Sequence, residues 1–214
     1  MLCPACWRGT PFLTGLTCDL CGASQIGEEP DQRVICDDCI ALPRPWSVGR
    51  AALAYRDTGR RLVLSLKHGD RLDLAGPAAD WMLRAGRDIL VENPLLVPVP
   101  IAWSRLLKRR YNQAAELSWA LAKRAECEVC VDALLRSRAT PSQDGRSVEG
   151  RFANVEQAIQ INPNRAAKVH GRHVVLIDDV MTSGATLSVC ARALVNSGAE
   201  AVNTLVLARA EKAP

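Results

Sequence analysis

The chain has 214 residues, 48% of them hydrophobic, with 27 Lys and Arg against 23 Asp and Glu for a formal net charge of +4. That is length for one α/β domain plus a small appendage, with enough apolar material for a substantial core. No apolar run approaches the length of a bilayer span, and the positive balance is weaker than nucleic-acid domains usually carry.

From the N-terminus, three Cys-x-x-Cys pairs (Cys3/Cys6, Cys18/Cys21, Cys36/Cys39) place six of the nine cysteines in the first forty residues. Two thiolates separated by two residues grip one tetrahedral metal from a tight knuckle, and two knuckles complete a four-cysteine site. Gly22, directly after Cys21, eases such a turn, so Cys18, Cys21, Cys36 and Cys39 are the expected ligands of a structural Zn2+. Cys3 and Cys6 are then half of a second ribbon, either degenerate or completed upstream of Met1. Nothing at the N-terminus reads as a signal peptide, so a cytoplasmic protein with reduced thiols is expected and zinc is favoured over disulfides. A segment this short has too little core to fold unaided, so metal is expected to hold residues 1–46 as a zinc-ribbon domain. Leu42-Pro43-Arg44-Pro45-Trp46 reads as a stiff junction to a second domain, 47–214. Residues 1–50 carry four arginines against six carboxylates, a net charge of −2, which argues against direct DNA binding by the ribbon.

Beyond the junction, residues 48–55 predict a strand, 61–67 an amphipathic helix, 74–91 a second helix and 95–100 a short buried strand ended by Pro98 and Pro100. Arg105, Lys108, Arg109 and Arg110 follow that strand end, and Tyr111-Asn112-Gln113 starts another helix. Cys127 and Cys130 repeat the knuckle spacing without further ligands nearby and read as incidental, as does Cys190 inside the last helix. Residues 139–145 are small and polar, flanked by Arg136, Arg138, Arg146 and Arg151, a composition suited to a loop that orders when an anion arrives.

The most informative stretch is residues 174–187, Val-Val-Leu-Ile-Asp-Asp-Val-Met-Thr-Ser-Gly-Ala-Thr-Leu. A β-branched run predicts a buried strand, and two carboxylates lie at its C-terminal end, where open α/β sheets place their ligands. A turn of small hydroxyl residues and glycine then opens a helix whose N–H groups can converge on an anion. Adjacent carboxylates suit two neighbouring sugar hydroxyls or Mg2+, and the turn suits phosphate, so a ribose 5-phosphate fits both halves. Residues 185–196 and 201–207 continue as helix and strand, with Gly198 as the stop between them.

This stretch resembles the 5-phosphoribosyl-1-pyrophosphate (PRPP) motif of type I phosphoribosyltransferases. The resemblance implies that Asp178 and Asp179 hold the ribose hydroxyls, and that the phosphate loop runs from Val180 and Met181 through Thr182, Ser183, Gly184, Ala185 and Thr186. With the cysteine pairs, Leu-Lys-His-Gly-Asp around Lys67, Val-Pro-Val-Pro, Arg-Arg-Tyr-Asn-Gln, the Arg136–Gln143 segment, Arg151 and Asn154, the whole chain resembles the ComF family. The fold so implied is a type I phosphoribosyltransferase domain, a parallel sheet flanked by helices, behind a small zinc ribbon. A pyrophosphate loop would fall within residues 98–110, a lid within 136–151 and part of the hood within 55–70. If the domain is catalytic, Arg109, Arg110 and Arg138 are the candidates to neutralise the leaving pyrophosphate together with Mg2+, while the aspartates orient the ribose. Two functions stay open: transfer of ribose 5-phosphate to an unknown base or amine, which the intact acidic pair and loop favour, or a non-catalytic PRPP- or nucleotide-binding module acting with single-stranded DNA or a competence helicase.

Overall fold

A computed structural model describes residues 3–27, 33–68, 71–136 and 158–211, and within these the side chains of His68, Ser104, Arg105 and Lys108 are not described. Five strands, β1 (Gly49–Ala54), β2 (Leu95–Pro98), β3 (Glu128–Val129), β6 (His173–Met181) and β7 (Ala201–Arg209), form one sheet in the order β1-β7-β6-β2-β3, every pair parallel. A short antiparallel pair, β4 (Leu134–Arg136) and β5 (Ile159–Ile161), stands apart. The helices are α1 (Pro4–Arg8), α2 (Asp37–Ala41), α3 (Asp57–His68), α4 (Ala75–Ala85), α5 (Trp103–Arg109), α6 (Gln113–Ala125), α7 (Ala166–Val169) and α8 (Ala185–Asn196).

The continuous apolar runs of β2, β6 and β7 are explained by burial on both faces. Val174 and Leu176 join one cluster with Leu95, Val97, Val202 and Val206, packed against Leu187, Cys190 and Leu194 of α8. Val175 and Ile177 face the other way, with Leu96, Leu205 and Leu207, onto Val63 and Leu66 of α3, Trp81 and Met82 of α4, and Leu117 and Leu121 of α6. The first face also takes in Cys18, Cys21, Cys39 and Trp46. The cysteine-rich segment therefore packs on the sheet. A Cβ on Gly22 (φ 68°) would lie 2.7 Å from the Ala51 backbone nitrogen, and the Trp46 indole N–H donates to the Leu20 carbonyl at 2.7 Å.

Two expectations change. The predicted helix over 74–91 stops at Ala85, because Gly86 caps it and lies so close to Leu205 that a Cβ there would meet its Cδ2 at 2.8 Å. The basic run after β2 folds as helix α5, ended by Arg110 at φ 67°. Among the described residues no helix is long and apolar enough to cross a membrane.

Candidate functional site

β2 ends at Pro98, opposite Ile177, whereas β6 stays paired with β7 as far as Met181 and Arg209. From Asp178 onward the central strand thus has a neighbour on one side only, and a crevice opens at the carboxyl ends of the strands. Asp178 Oδ1 accepts the Asp179 backbone N–H at 2.8 Å. Asp179 is only 6% exposed, and its Oδ2 lies 3.1 Å from Lys67 Nζ. Lys67 comes from the last turn of α3, which the Tyr111 hydroxyl fixes by donating to the Leu66 carbonyl at 2.6 Å, and the Gln113 amide reaches the Lys67 carbonyl at 3.5 Å. Arg109 Nη1 donates to Gln113 Oε1 at 3.4 Å, so this basic helix borders the acidic pair through Gln113 and Lys67, while Arg110 is exposed. Arg138 and the lid segment from residue 137 to 151 lie outside the described residues, as do Asn154 and Asp70.

After Met181 the chain turns through Thr182, Ser183 and Gly184 (φ 79°) into α8, and a hollow of about 30 Å³ is lined by Asp178 and residues 180–187. Met181 itself is buried beneath the turn and Val180 is half-buried. Two guanidinium groups hold the back of this turn. Arg209 Nη1 donates to the carbonyls of Met181 (3.2 Å), Thr182 (2.7 Å) and Ala210, and Arg44 Nη1 donates to the Ser183 carbonyl at 2.7 Å. Among the described residues the N–H groups of Thr182, Ser183 and Gly184 have no protein acceptor. Carbonyls tied back to cations and N–H groups left unengaged at a helix N-terminus make an anion site. Sequence reasoning missed Lys67 as a contact of the acidic pair, and missed Arg44 and Arg209 altogether. All three act across long separations in the chain, and only the motif around Lys67 gave any signal.

Burial and, next, the neighbouring Asp179 carboxylate push Asp178 up to about 7. The folded chain therefore keeps a proton that the unfolded chain releases near the ordinary 3.8, and between those values stability falls as pH rises. Three units at 1.36 kcal/mol each set an upper bound of about 4 kcal/mol, and relaxation at a partly exposed strand end reduces this to ~1–2 kcal/mol. Asp178→Asn removes that penalty, so the variant should melt about 3–6 °C above the parent at pH 8, with the gap shrinking as pH falls toward 4. Melting curves that stay parallel across this range would refute the assignment.

In the cysteine-rich segment the sulfurs of Cys18, Cys21, Cys36 and Cys39 all lie within 4.8 Å of one another. Those of Cys21 and Cys36 are 3.7 Å apart, and four Zn–S bonds of about 2.3 Å give tetrahedron edges of about 3.8 Å. All nine cysteines are free thiols, and the Cys36 N–H donates to Cys18 Sγ at 3.4 Å in the manner of a metal knuckle. Thiols of Cys21 and Cys39 donating to Cys18 hold it well below the usual thiol range, while burial pushes Cys36 up to about 11. So crowded a set is unfavourable as four bare thiolates and suits a dication. The donor set therefore fits zinc. Cys3 and Cys6 sit at the exposed start of α1 with a Cys6 N–H to Cys3 Sγ bond of 3.4 Å, and among the described residues no further ligands join them. Cys127 is half-buried and Cys130 and Cys190 are buried.

A phosphoribosyl transferase domain model matches residues 113–213, which include the acidic pair and the turn and exclude the four cysteines. The DNA utilization protein YhgH of Salmonella typhimurium is 30% identical over 214 residues, 97% of this chain and 90% of that one. Competence protein F of Haemophilus influenzae is 32% identical over 180 residues, 82% of this chain and 78% of that one. Among solved structures, a glutamine PRPP amidotransferase from B. subtilis shares 18% identity at a TM-score of 0.42, covering 66% of this chain and 30% of that much longer enzyme.

Proposed function

Because the chain belongs to the ComF family and carries its phosphoribosyltransferase domain, we propose that it binds PRPP at the Asp178–Thr186 turn and transfers ribose 5-phosphate to a base or amine. The observation that carries this is the juxtaposition of two carboxylates with a helix-opening turn in which, among the described residues, the N–H groups of Thr182, Ser183 and Gly184 lack protein acceptors and whose carbonyls Arg44 and Arg209 hold back. The 5-phosphate would sit on the Thr182–Thr186 N–H groups and hydroxyls, and the 2- and 3-hydroxyls on Asp178 and Asp179. Orienting the ribose between these two anchors prepares C1 for loss of pyrophosphate. Asp178 and Asp179 are the carboxylates that would hold Mg2+, which would neutralise charge developing on the leaving group. Lys67 lies at the acidic pair, Arg109 and Arg110 would supply further cations for the leaving group, and Arg138 would add another from the lid. In this reading Lys67 releases Asp179 when sugar hydroxyls arrive.

The same proposal divides the chain into a zinc ribbon over residues 1–46 and a phosphoribosyltransferase domain over 47–214, at work in the cytoplasm, where reduced thiols remain available to zinc. The names of its relatives support a second reading, in which the pocket binds PRPP or a nucleotide without turnover and serves DNA uptake alongside single-stranded DNA or a helicase. Incubation of the zinc-loaded chain with PRPP, Mg2+ and a panel of bases and amines separates the two. Pyrophosphate release that depends on acceptor supports the transferase, whereas tight PRPP binding with no pyrophosphate released under any acceptor supports the module. No binding of PRPP at all would overturn both.

A further inference from the structure

A single side chain bridges the cysteine site and the phosphate turn. Arg44 is half-buried, and its Nε donates to Cys39 Sγ at 3.5 Å while its Nη1 donates to the Ser183 carbonyl at 2.7 Å. Its guanidinium lies 5.6 Å from the centre of the Trp46 ring, and Trp46 is itself anchored on Leu20, between Cys18 and Cys21, by the 2.7 Å indole bond. On the far side, a Cβ at Gly184 would fall 2.8 Å from Arg44 Nη1, so the turn and the guanidinium are in direct contact. The fork of a guanidinium is rigid and planar. Fixing Nε on sulfur and the plane near an indole therefore fixes where Nη1 meets the turn. A metal-bound cysteine is a thiolate and accepts a charge-assisted bond, whereas a thiol accepts only weakly.

We propose that Arg44 is a positioning residue for the phosphate turn: metal in the four-cysteine site holds Arg44, and Arg44 holds Ser183 and Gly184 in the conformation that receives an anion. Loss of metal then loosens the turn, and an anion bound there tightens metal binding by the same factor, since coupling between two sites is reciprocal. The part concerning phosphosugar affinity rests on the proposed function. The coupling of metal to turn does not.

The test is hydrogen exchange in the 181–190 peptide of the full chain, in which the Ser188 N–H is held by the Gly184 carbonyl at 2.8 Å. Parent, Arg44→Gln and Arg44→Lys are compared with zinc bound and after chelation, with metal content measured for each and ribose 5-phosphate titrated calorimetrically. In the zinc-loaded state Arg44→Gln should exchange at this peptide about tenfold faster than the parent and bind ribose 5-phosphate about tenfold more weakly, a cost of 1.4 kcal/mol. Arg44→Lys, which keeps the charge and loses the fork, should recover only part, and it serves as the metal-retaining comparison should the glutamine variant shed zinc. Chelation should accelerate the peptide in the parent and add little in Arg44→Gln. Unchanged exchange in the zinc-loaded glutamine variant, or equal acceleration on chelation in parent and variant, would overturn the coupling. If the exchange results hold but the parent binds no ribose 5-phosphate, the coupling stands and the phosphosugar reading falls.

Discussion

Asp179→Ala is expected to weaken ribose 5-phosphate binding about 100-fold while leaving affinity for inorganic phosphate unchanged or slightly higher. Hydrogen bonds to a charged acceptor contribute ~1.5–3 kcal/mol each, so losing the acceptor for a ribose hydroxyl accounts for the lost factor. The 3.1 Å contact to Lys67 sets the sign for bare phosphate, because removing the carboxylate frees a cation beside the crevice. Calorimetric titration with both ligands reads the difference. Equal loss of both would mean that the turn has collapsed, and equal retention of both would place the sugar elsewhere.

Cys18→Ser should abolish stoichiometric zinc and lower the melting temperature by about 10 °C. Cys18 is fully buried, accepts the Cys36 N–H through its sulfur, and its carbonyl accepts the Gly22 N–H at 2.8 Å, so it organises both knuckles. Structural zinc contributes on the order of 10 kcal/mol to a segment that cannot fold without it. Only part of that reaches the melting transition, since the sheet retains its own core, and ~3 kcal/mol corresponds to the stated shift at this chain length. Metal analysis decides the ligand assignment. A full equivalent of zinc in the variant would direct attention to Cys3 and Cys6.

Much of this molecule is legible in the sequence because its strongest signals are local. The run from Val174 to Leu187 carries burial, charge and turn chemistry in consecutive residues, and the helix and strand after it follow the expected bounds closely. The knuckle spacings likewise encode a four-cysteine cluster within short loops. The remainder depends on contacts between distant residues. Arg44 reads as part of a stiff linker, yet its partner Ser183 is 139 positions away. Arg209 lies beyond the expected end of the last strand at residue 207, and it is 4% exposed beneath the turn. Lys67 lies on an amphipathic helix where a solvated lysine is the default, and the bonds of Tyr111 and Gln113 to the last turn of α3 place it beside Asp179. The basic stretch after β2 became a helix because nothing within it opposes helical geometry, whereas the expectation for those residues came from the strand end before them.

The strand order has a consequence for the chain's synthesis. β1 is bonded to no strand of the sheet except β7, although some 150 residues separate them. Residues 49–54 therefore wait at the ribosome, without their neighbour in the sheet, until residues 201–209 have emerged, and the loop closed by that pairing spans more than two thirds of the chain. The cysteine segment, which leans on β1, docks finally only then. A nascent chain stalled before residue 200 should present its metal ligands on a tethered, undocked segment, so zinc capture can precede completion of the sheet and hold the N-terminal end folded through the delay.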